Sequence, residues 1–459
     1  MRDLGRLIKA EEYMHKAIDL NPNSINFNNN FGVILEDLGK YKQAEFYLHK
    51  SIEINPNSAY ANYNLGNILL ELKKFSEAEY FQRRAIKINP DFASAYFNLG
   101  IVQNKTGQLT EAIISFKKSI KLDPKGIHRI SYLIYVLSKQ CMWDEIEQYL
   151  PNLNKIGIEG KPVAPLDLMY IEDNPSNHLK RAIKYNKKNN IRELPFTSKI
   201  KNKKIRIGYI SSDFQDHPIS HLISRVLELH DKSKFEVFAY SLSDVVDDYT
   251  KRIRSAVSCF RIINSLDDHE AVNLIRNDHI DIAIDLNGYT NNNRRSIFTY
   301  RVAPIQINYL GYVGSLGSKS YDYLLSDKVI IPEENKKYYT EKVLYHPTCT
   351  YPYDNKERIL NNKFTKEELG LPSEGFVFAC FNNIQKITRK EFNIWMRLLK
   401  RVDNSVLWIV KPHYSAILNL YTELDKFKLG RERIVFAETF ELSNHISRHS
   451  CADLFLDTF

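Results

Sequence analysis

Apolar positions over the first quarter of the chain recur with a period longer than any single helix or strand. Pro22, Pro56, Pro90 and Pro124 stand 34 residues apart. Each follows an apolar and a polar residue: Leu20-Asn21, Ile54-Asn55, Ile88-Asn89 and Leu122-Asp123. Phe31, Leu65 and Leu99 share one phase, each just before a glycine (Gly32, Gly66, Gly100). Tyr41, Phe75 and Leu109 share the next, followed by Ala44, Ala78 and Ala112, then Ser51, Ala85 and Ser119. Large apolar residues on one face and small ones where partners cross predict two packed helices per unit. The prolines end the second helix, because proline lacks the amide that would continue the ladder.

A helix–turn–helix repeated every 34 residues is the signature of the tetratricopeptide repeat. Leu7, Ala10 and Ala17 fit the second-helix phases, with Gly5 expected at the turn before them. The chain is thus expected to open inside a repeat, leaving one apolar helix face for another element to cover. Residues 127–150 predict a degenerate last repeat, in which Leu133, Trp143 and Leu150 keep the phase while the small residues are gone. Asn30, Asn64 and Asn98 occupy one phase, two residues before each glycine. Stacked repeats would present them as a ladder, and an amide that both donates and accepts can grip the backbone of an extended peptide. The alternative is that asparagine is abundant here and common at this phase.

Beyond residue 150 the period changes. Residues 177–189 predict a helix and 190–204 a basic linker containing Pro195. Strands are predicted at 205–210, 235–240, 280–286, 306–309 and 323–325, with helices such as 219–229 and 267–277 between them. After a stretch around 347–362, strands are predicted at 376–380, 406–410, 434–436 and 454–456, with helices at 388–401, 415–428 and 441–449. Buried strands alternating with amphipathic helices predict parallel α/β sheets. The expected architecture is an α superhelix followed by a two-lobed α/β region with a cleft beyond the strands' carboxyl ends. Its expected parts are repeats at 1–126, a degenerate repeat and helical linker at 127–200, a first lobe at 201–346, an inter-lobe linker at 347–372 and a second lobe at 373–459.

Composition narrows the class. In 459 residues, 43% are apolar and 26% charged, which excludes disorder over the whole length. No stretch approaches the ~20 apolar residues of a membrane span. Met1-Arg2-Asp3-Leu4 carries no signal-peptide core, so the cytoplasm is the expected compartment. The net charge of +9 reads as a lysine-rich solvated surface or as a match to an anionic ligand such as a nucleotide sugar. No basic stripe interleaved with aromatics points to nucleic acid. Five widely spaced cysteines without a C-x-x-C pair argue against a disulfide framework or a thiolate zinc site.

The chemistry rests on a set of motifs. Ile205-Arg-Ile-Gly-Tyr-Ile-Ser-Ser-Asp-Phe214 is followed by His217-Pro218-Ile219-Ser220-His221. Asp285-Leu-Asn-Gly-Tyr-Thr290, Ala303-Pro-Ile-Gln306 and Leu310-Gly-Tyr312 come next. Later stand Phe381-Asn-Asn-Ile-Gln-Lys-Ile387, Ser405-Val-Leu-Trp408, His445-Ile-Ser-Arg448 and Ala452-Asp-Leu-Phe-Leu-Asp-Thr458. Together they resemble the O-linked N-acetylglucosamine transferases of bacterial type, in which tetratricopeptide repeats precede a two-lobed, GT-B-like glycosyltransferase region.

The resemblance implies roles. His217 would be the histidine at the sugar–acceptor junction, acting as base or orienting group; a capping or packing histidine, or a zinc ligand with His221, are the alternatives. Lys386 would stabilise the departing diphosphate, which gains charge as the glycosidic bond breaks. Asn383 takes the place of a nucleotide-contacting amide. His445 and Arg448, expected to open a helix whose N-terminus adds partial positive charge, would meet uridine and diphosphate. Backbone of Phe440 through Leu442 would contact the base, although the animal members have lysine where Leu442 stands. The motif Tyr312-Val313-Gly314-Ser315 departs from the family's Tyr-Pro-Gly-Thr. The chain stops at Asp457-Thr458-Phe459, where the family continues into a Gly-His-Thr-Thr-Gly segment and a ribose-binding Asp. The second lobe is therefore expected to be incomplete and the chain a fragment with impaired activity. The implied function is inverting, metal-independent transfer of N-acetylglucosamine from UDP-N-acetylglucosamine, a substrate rather than a cofactor, to Ser or Thr of acceptor polypeptides. A non-catalytic repeat scaffold, or the same fold using another donor or acceptor, are the rival readings.

Overall fold

The computed structural model describes residues 4–187, 203–356 and 363–458. The chain divides into two compact units, Met1–Lys161 with Asn362–Phe459, and Pro162–Asn361. The basic linker with Pro195 lies outside the described residues.

The repeats are seven long helices: α1 (Leu4–Leu20), α2 (Ile25–Asp37), α3 (Tyr41–Ile54), α4 (Ala59–Glu71), α5 (Phe75–Ile88), α6 (Ala93–Lys105) and α7 (Leu109–Leu122). α8 (Arg129–Lys139) and the short α9 (Trp143–Glu147) follow as the degenerate pair. Asn55 and Asn89 are extended at the ends of α3 and α5, and Asp123 has likewise left the helical conformation at the end of α7, because a residue before proline is pushed out of the helical region. Gly32, Gly66 and Gly100 lie where the helices of each pair touch. A methyl at Gly100 would fall 2.7 Å from Cε1 of Phe116. Phe31, Leu65, Ala44, Ala78 and Ala112 are fully buried. Ser51 and Ser119 hydroxyls donate to the carbonyls of Ile25 and Ala93, so small polar residues fit between buried helices. Gly5 differs from expectation: it falls inside the first turn of α1 rather than at a turn between helices.

In the second unit, α10 (Pro175–Lys187) precedes a sheet of seven parallel strands: β1 (Ile205–Ser211), β2 (Phe235–Ser241), β3 (Cys259–Ile262), β4 (Ile282–Asp285), β5 (Ile305–Tyr309), β6 (Tyr323–Ser326) and β7 (Lys342–Tyr345). Their order is β3-β2-β1-β4-β5-β6-β7. The connections include α11 (Pro218–Leu229), α12 (Asp248–Ala256), α13 (Asp268–Asn277) and the one-turn α14 (Ser296–Thr299). The sequence reading missed β3, β7 and α12. Both strands are four residues long and carry charge, Arg261 and Lys342 respectively, so no apolar run announces them. α12 is largely polar and holds its start with an Asp247–Thr250 capping box.

The second sheet belongs to the same unit as the repeats. It holds β8 (Val377–Cys380), β9 (Val406–Val410), β10 (Ile434–Ala437) and β11 (Leu454–Phe455), all parallel, in the order β10-β9-β8-β11. α15 (Arg389–Arg401), α16 (Tyr414–Lys426) and α17 (Leu442–Ser447) connect them. Trp408 at the centre of β9 is buried among Val377, Ala379, Val406 and Cys451.

Filling the tight crossing between α6 and α7 should be costly. Gly100→Val is expected to lower stability by about 1–3 kcal/mol, read from the denaturant midpoint. An unchanged midpoint would mean the helices can part at no penalty.

Candidate functional site

In a parallel sheet the loops at the carboxyl ends diverge where the strand order reverses, and ligands bind there. In the first sheet that reversal lies between β1 and β4, which are neighbours although two strands intervene in sequence. The loop after β1 carries Ser212, Asp213 and His217; the loop after β4 carries Asn287. Side chains stitch the two loops together. Asn287 Nδ2 donates to Asp213 Oδ2 at 2.7 Å and to Ser212 Oγ at 2.9 Å, while its Oδ1 accepts the Ser212 amide at 2.9 Å. The Asn287 and Gly288 amides donate to Oδ1 of buried Asp285, whose Oδ2 accepts from Tyr321 at 2.6 Å. Gly288 has φ +59°, and a Cβ there would lie 2.6 Å from that of Tyr312. Only glycine meets both demands.

His217 is the residue before α11, and its ring caps that helix: Nδ1 accepts the Ile219 amide at 3.2 Å. Asp213 Oδ2 lies 3.7 Å from the same nitrogen, and 41% of the side chain is exposed. A nitrogen that accepts from a backbone N–H is unprotonated, so the neutral ring carries its hydrogen on Nε2. His221 faces elsewhere, with Nε2 2.7 Å from Asp216 Oδ1 and its ring 4.6 Å from that of Tyr249. Among the described residues, no three His, Cys, Asp or Glu side chains cluster so as to hold a metal. α12 braces this loop: Thr250 Oγ1 donates to the Phe214 carbonyl, and Asp247 Oδ2 accepts the Asp216 amide.

The second sheet repeats the plan. Its order reverses between β8 and β11. Asn382, after β8, donates to Asp457 Oδ1 at 2.7 Å and to Thr458 Oγ1 at 2.9 Å, after β11. Asn383 precedes a single 3₁₀ turn, Ile384–Lys386, and is exposed, as is Lys386. Phe381 is the hub of this edge, 4.9 Å from Trp408, 5.3 Å from His445 and 5.0 Å from His449, centroid to centroid. It thereby joins the loop of Asn383 and Lys386 to α17.

His445 and Arg448 require a correction. α17 begins at Leu442 and ends at Ser447, so His445 sits in its last turn and Arg448 just past it. Six residues place both at the helix's negative end, and a helix N-terminus lends them nothing. Arg448 is only 2% exposed. Its guanidinium lies 4.4 Å from the Phe381 ring, 5.1 Å from Phe440 and 5.6 Å from Trp408, and donates to the Glu438 carbonyl and to His445 Nδ1. Burial, with the charge of Arg448 beside it, pushes His445 down to about 4. Phe440 also stacks on Phe364 at 5.6 Å, and Leu442 is half-buried.

On the inner helices, Asn64 Nδ2 donates to Asn29 Oδ1 at 2.9 Å, and Asn98 Nδ2 donates to Asn67 Oδ1 at 2.5 Å. Asn30 is exposed. The predicted ladder is thus a pair of inter-repeat bonds to asparagines of neighbouring phases, and each linked amide keeps one hydrogen. Ser212, Asp213, Asn287 and Asn382 are functional candidates that the sequence reading quoted only as motif letters. Their signal was polarity immediately after an apolar strand.

The protein thus joins tetratricopeptide-type helix pairs to parallel α/β sheets whose carboxyl edges are polar and stitched by side chains. The chain belongs to glycosyl transferase family 41, whose model matches residues 180–363 and 354–459. Tetratricopeptide repeat models match 25–58, 48–80 and 81–114. Among curated relatives, the probable UDP-N-acetylglucosamine–peptide N-acetylglucosaminyltransferase SEC of Arabidopsis thaliana is 36% identical over 262 residues, covering 56% of this chain and 27% of that protein. Its SPINDLY counterpart from the same plant is 32% identical over 270 residues, covering 56% of this chain and 28% of that protein. The matched stretch of this chain therefore spans under a third of the length of these relatives. A solved point mutant of the Thermobaculum terrenum O-GlcNAc transferase superposes with a TM-score of 0.63 at 22% identity, covering 95% of this chain and 78% of that one; it shares the fold. No described helix is long and apolar enough to cross a membrane.

Because His445 is held neutral in the folded protein but titrates near 6.5 when unfolded, the unfolded chain binds the extra proton first. The stability this provides is present above pH 6.5 and is lost as pH falls toward 4. His128, pushed down to about 4 by burial, adds a second contribution of the same sign. His445→Gln should therefore show a shallower loss of denaturant midpoint between pH 6.5 and 4 than the parent. Parallel curves would remove His445 as a contributor.

Proposed function

We propose that this protein transfers N-acetylglucosamine from UDP-N-acetylglucosamine to Ser or Thr hydroxyls of polypeptides. The observation that carries the reading is the family match over 180–459, together with the location of His217 and Lys386 at the strand-order reversals of two parallel sheets. The reaction is a single displacement with inversion, needing no metal or cofactor; the sugar nucleotide is a substrate. The acceptor oxygen bonds to the anomeric carbon as the bond to the diphosphate breaks. Lys386, exposed and without an ion pair among the described residues, offers its ammonium to the departing diphosphate. Asn383 beside it meets the nucleotide, with the Phe440–Leu442 backbone at the base and His445 and Arg448 framing the pocket.

His217 has two possible tasks, and its surroundings rank them. With Nδ1 accepting from Ile219, Nε2–H is a donor that orients the acceptor or the sugar. To act as a base, Nε2 must present its lone pair, so the ring must carry its hydrogen on Nδ1. It would then give up the helix cap and turn toward Asp213, 3.7 Å away. Orientation is therefore the role that needs no rearrangement.

The repeats supply the acceptor route, with Asn30, Asn64 and Asn98 as backbone grips. The partners are acceptor polypeptides and UDP-N-acetylglucosamine, with neither nucleic acid nor membrane. Five unbridged cysteines suit the cytoplasm.

The test is incubation of the protein with UDP-N-acetylglucosamine and a hydroxyl-bearing peptide, read by mass. The expected product is the peptide plus one N-acetylhexosamine, formed slowly, in keeping with the impaired activity expected from the sequence. An increment of a different sugar would refute the donor assignment, and no product at all would favour the non-catalytic repeat scaffold. Lys386→Ala should lower kcat about a hundredfold without altering the denaturant midpoint, and equal turnover would remove Lys386 from the chemistry.

A further inference from the structure

A stack of helical repeats ends in an apolar face that something must cover. In this protein the cover is the second α/β sheet's own helices. Trp143 holds the phase that Tyr41, Phe75 and Leu109 hold in earlier repeats. Its indole is 3% exposed and packs on Phe392 of α15, with ring centroids 4.9 Å apart. Its Nε1–H donates to the carbonyl of Ile387 at 3.1 Å, across 244 positions of sequence.

That carbonyl belongs to the residue directly after Lys386. Ile387 is buried at 1% exposure, so its oxygen depends on a protein donor. The turn is closed by the Lys386 amide on the Asn383 carbonyl and by the Ile387 amide on the Ile384 carbonyl. Thr388 then starts α15 with a capping box to Glu391. On the same side, Arg389 reaches Asp144 at 2.5 Å, Glu147 at 3.1 Å and Glu423 at 3.3 Å. Lys426 bridges Asp144 and Glu423, and Asn419 donates to the Gln140 carbonyl at 2.8 Å. The lysine's backbone is therefore seated on the last repeat pair, while its side chain stays exposed.

We propose that the terminal repeat sets the position of the Lys386 turn, with Trp143 as the positioning residue through its bond to Ile387. This rests on the reading of Lys386 as the group that meets the donor's diphosphate. It adds a direct physical connection between the helices that receive the acceptor and the ammonium that serves the donor. A change in the last repeat is felt at Lys386 through one hydrogen bond and one ring contact. The charged pairs around Arg389 hold the two elements in register but lie partly in solvent and contribute less.

The test uses Trp143→Phe, which keeps a ring against Phe392 and removes the N–H, beside Trp143→Ala. Hydrogen exchange of the 384–388 amides should quicken about tenfold in Trp143→Phe, the effect of one lost hydrogen bond, with the amides of α4 and α5 unaltered. Turnover should show a kcat about tenfold lower with acceptor KM unchanged, and this loss should vanish in a Lys386→Ala background, since residues acting through one group are not additive. Unaltered exchange at 384–388 overturns the seating, and additive kcat losses overturn the action through Lys386. Absence of turnover in the unsubstituted protein counts against the proposed function instead, and the exchange result then decides the seating alone.

Discussion

One side-chain device recurs at the carboxyl edges of both sheets and ties their loops together. Where strand order reverses, neighbouring loops have no backbone ladder between them and would drift apart. In each sheet an asparagine amide bridges them by donating to an aspartate and a hydroxyl: Asn287 to Asp213 and Ser212 in one, Asn382 to Asp457 and Thr458 in the other. A neutral amide suits this task, since it donates to a carboxylate without neutralising it and without the desolvation cost of a buried cation. The first stitch is buried and extends through Asp285 to Tyr321; the second is nearer solvent. His217 and Lys386 each follow within a few residues of such a stitch, so their backbones start from fixed points.

Much of this was legible in the sequence because it follows from periodicity. The 34-residue repeat is enforced by packing: Gly100 must be small against Phe116, and Pro90 forces Asn89 out of the helix. The strands β8 and β9 read as continuous buried apolar runs, and β1 and β2 carry buried, mainly apolar stretches after Arg206 and Glu236. β3 and β7 were not legible, since short strands of mixed polarity gain their structure from a neighbour rather than from their own residues. The sequence 441–449 has a helical composition, yet the α-helix stops at Ser447 and a 3₁₀ turn, Arg448–Cys451, follows, with Cys451 buried against the sheet.

The site was legible as motif letters and not as geometry. Nothing in His217-Pro218 says that the imidazole caps α11 through Nδ1; that requires proline at the first helical position and an amide two residues on. Nothing in His445-Ile-Ser-Arg448 says that the arginine lies beneath three aromatic rings. Trp143 opens α9 at the phase at which Tyr41, Phe75 and Leu109 open α3, α5 and α7. Its partner in the Lys386 loop, far away in sequence, could not have been read from the repeat at all.

The central claim is that the carboxyl edge of the second sheet receives the sugar nucleotide. Photo-crosslinking with an azido-uridine analogue of UDP-N-acetylglucosamine, followed by peptide mapping, addresses it directly. The account predicts label within 381–387 or 440–448 that competes away with unmodified UDP-N-acetylglucosamine. Competable label confined to other segments, such as the amino-terminal ends of the strands, would contradict it.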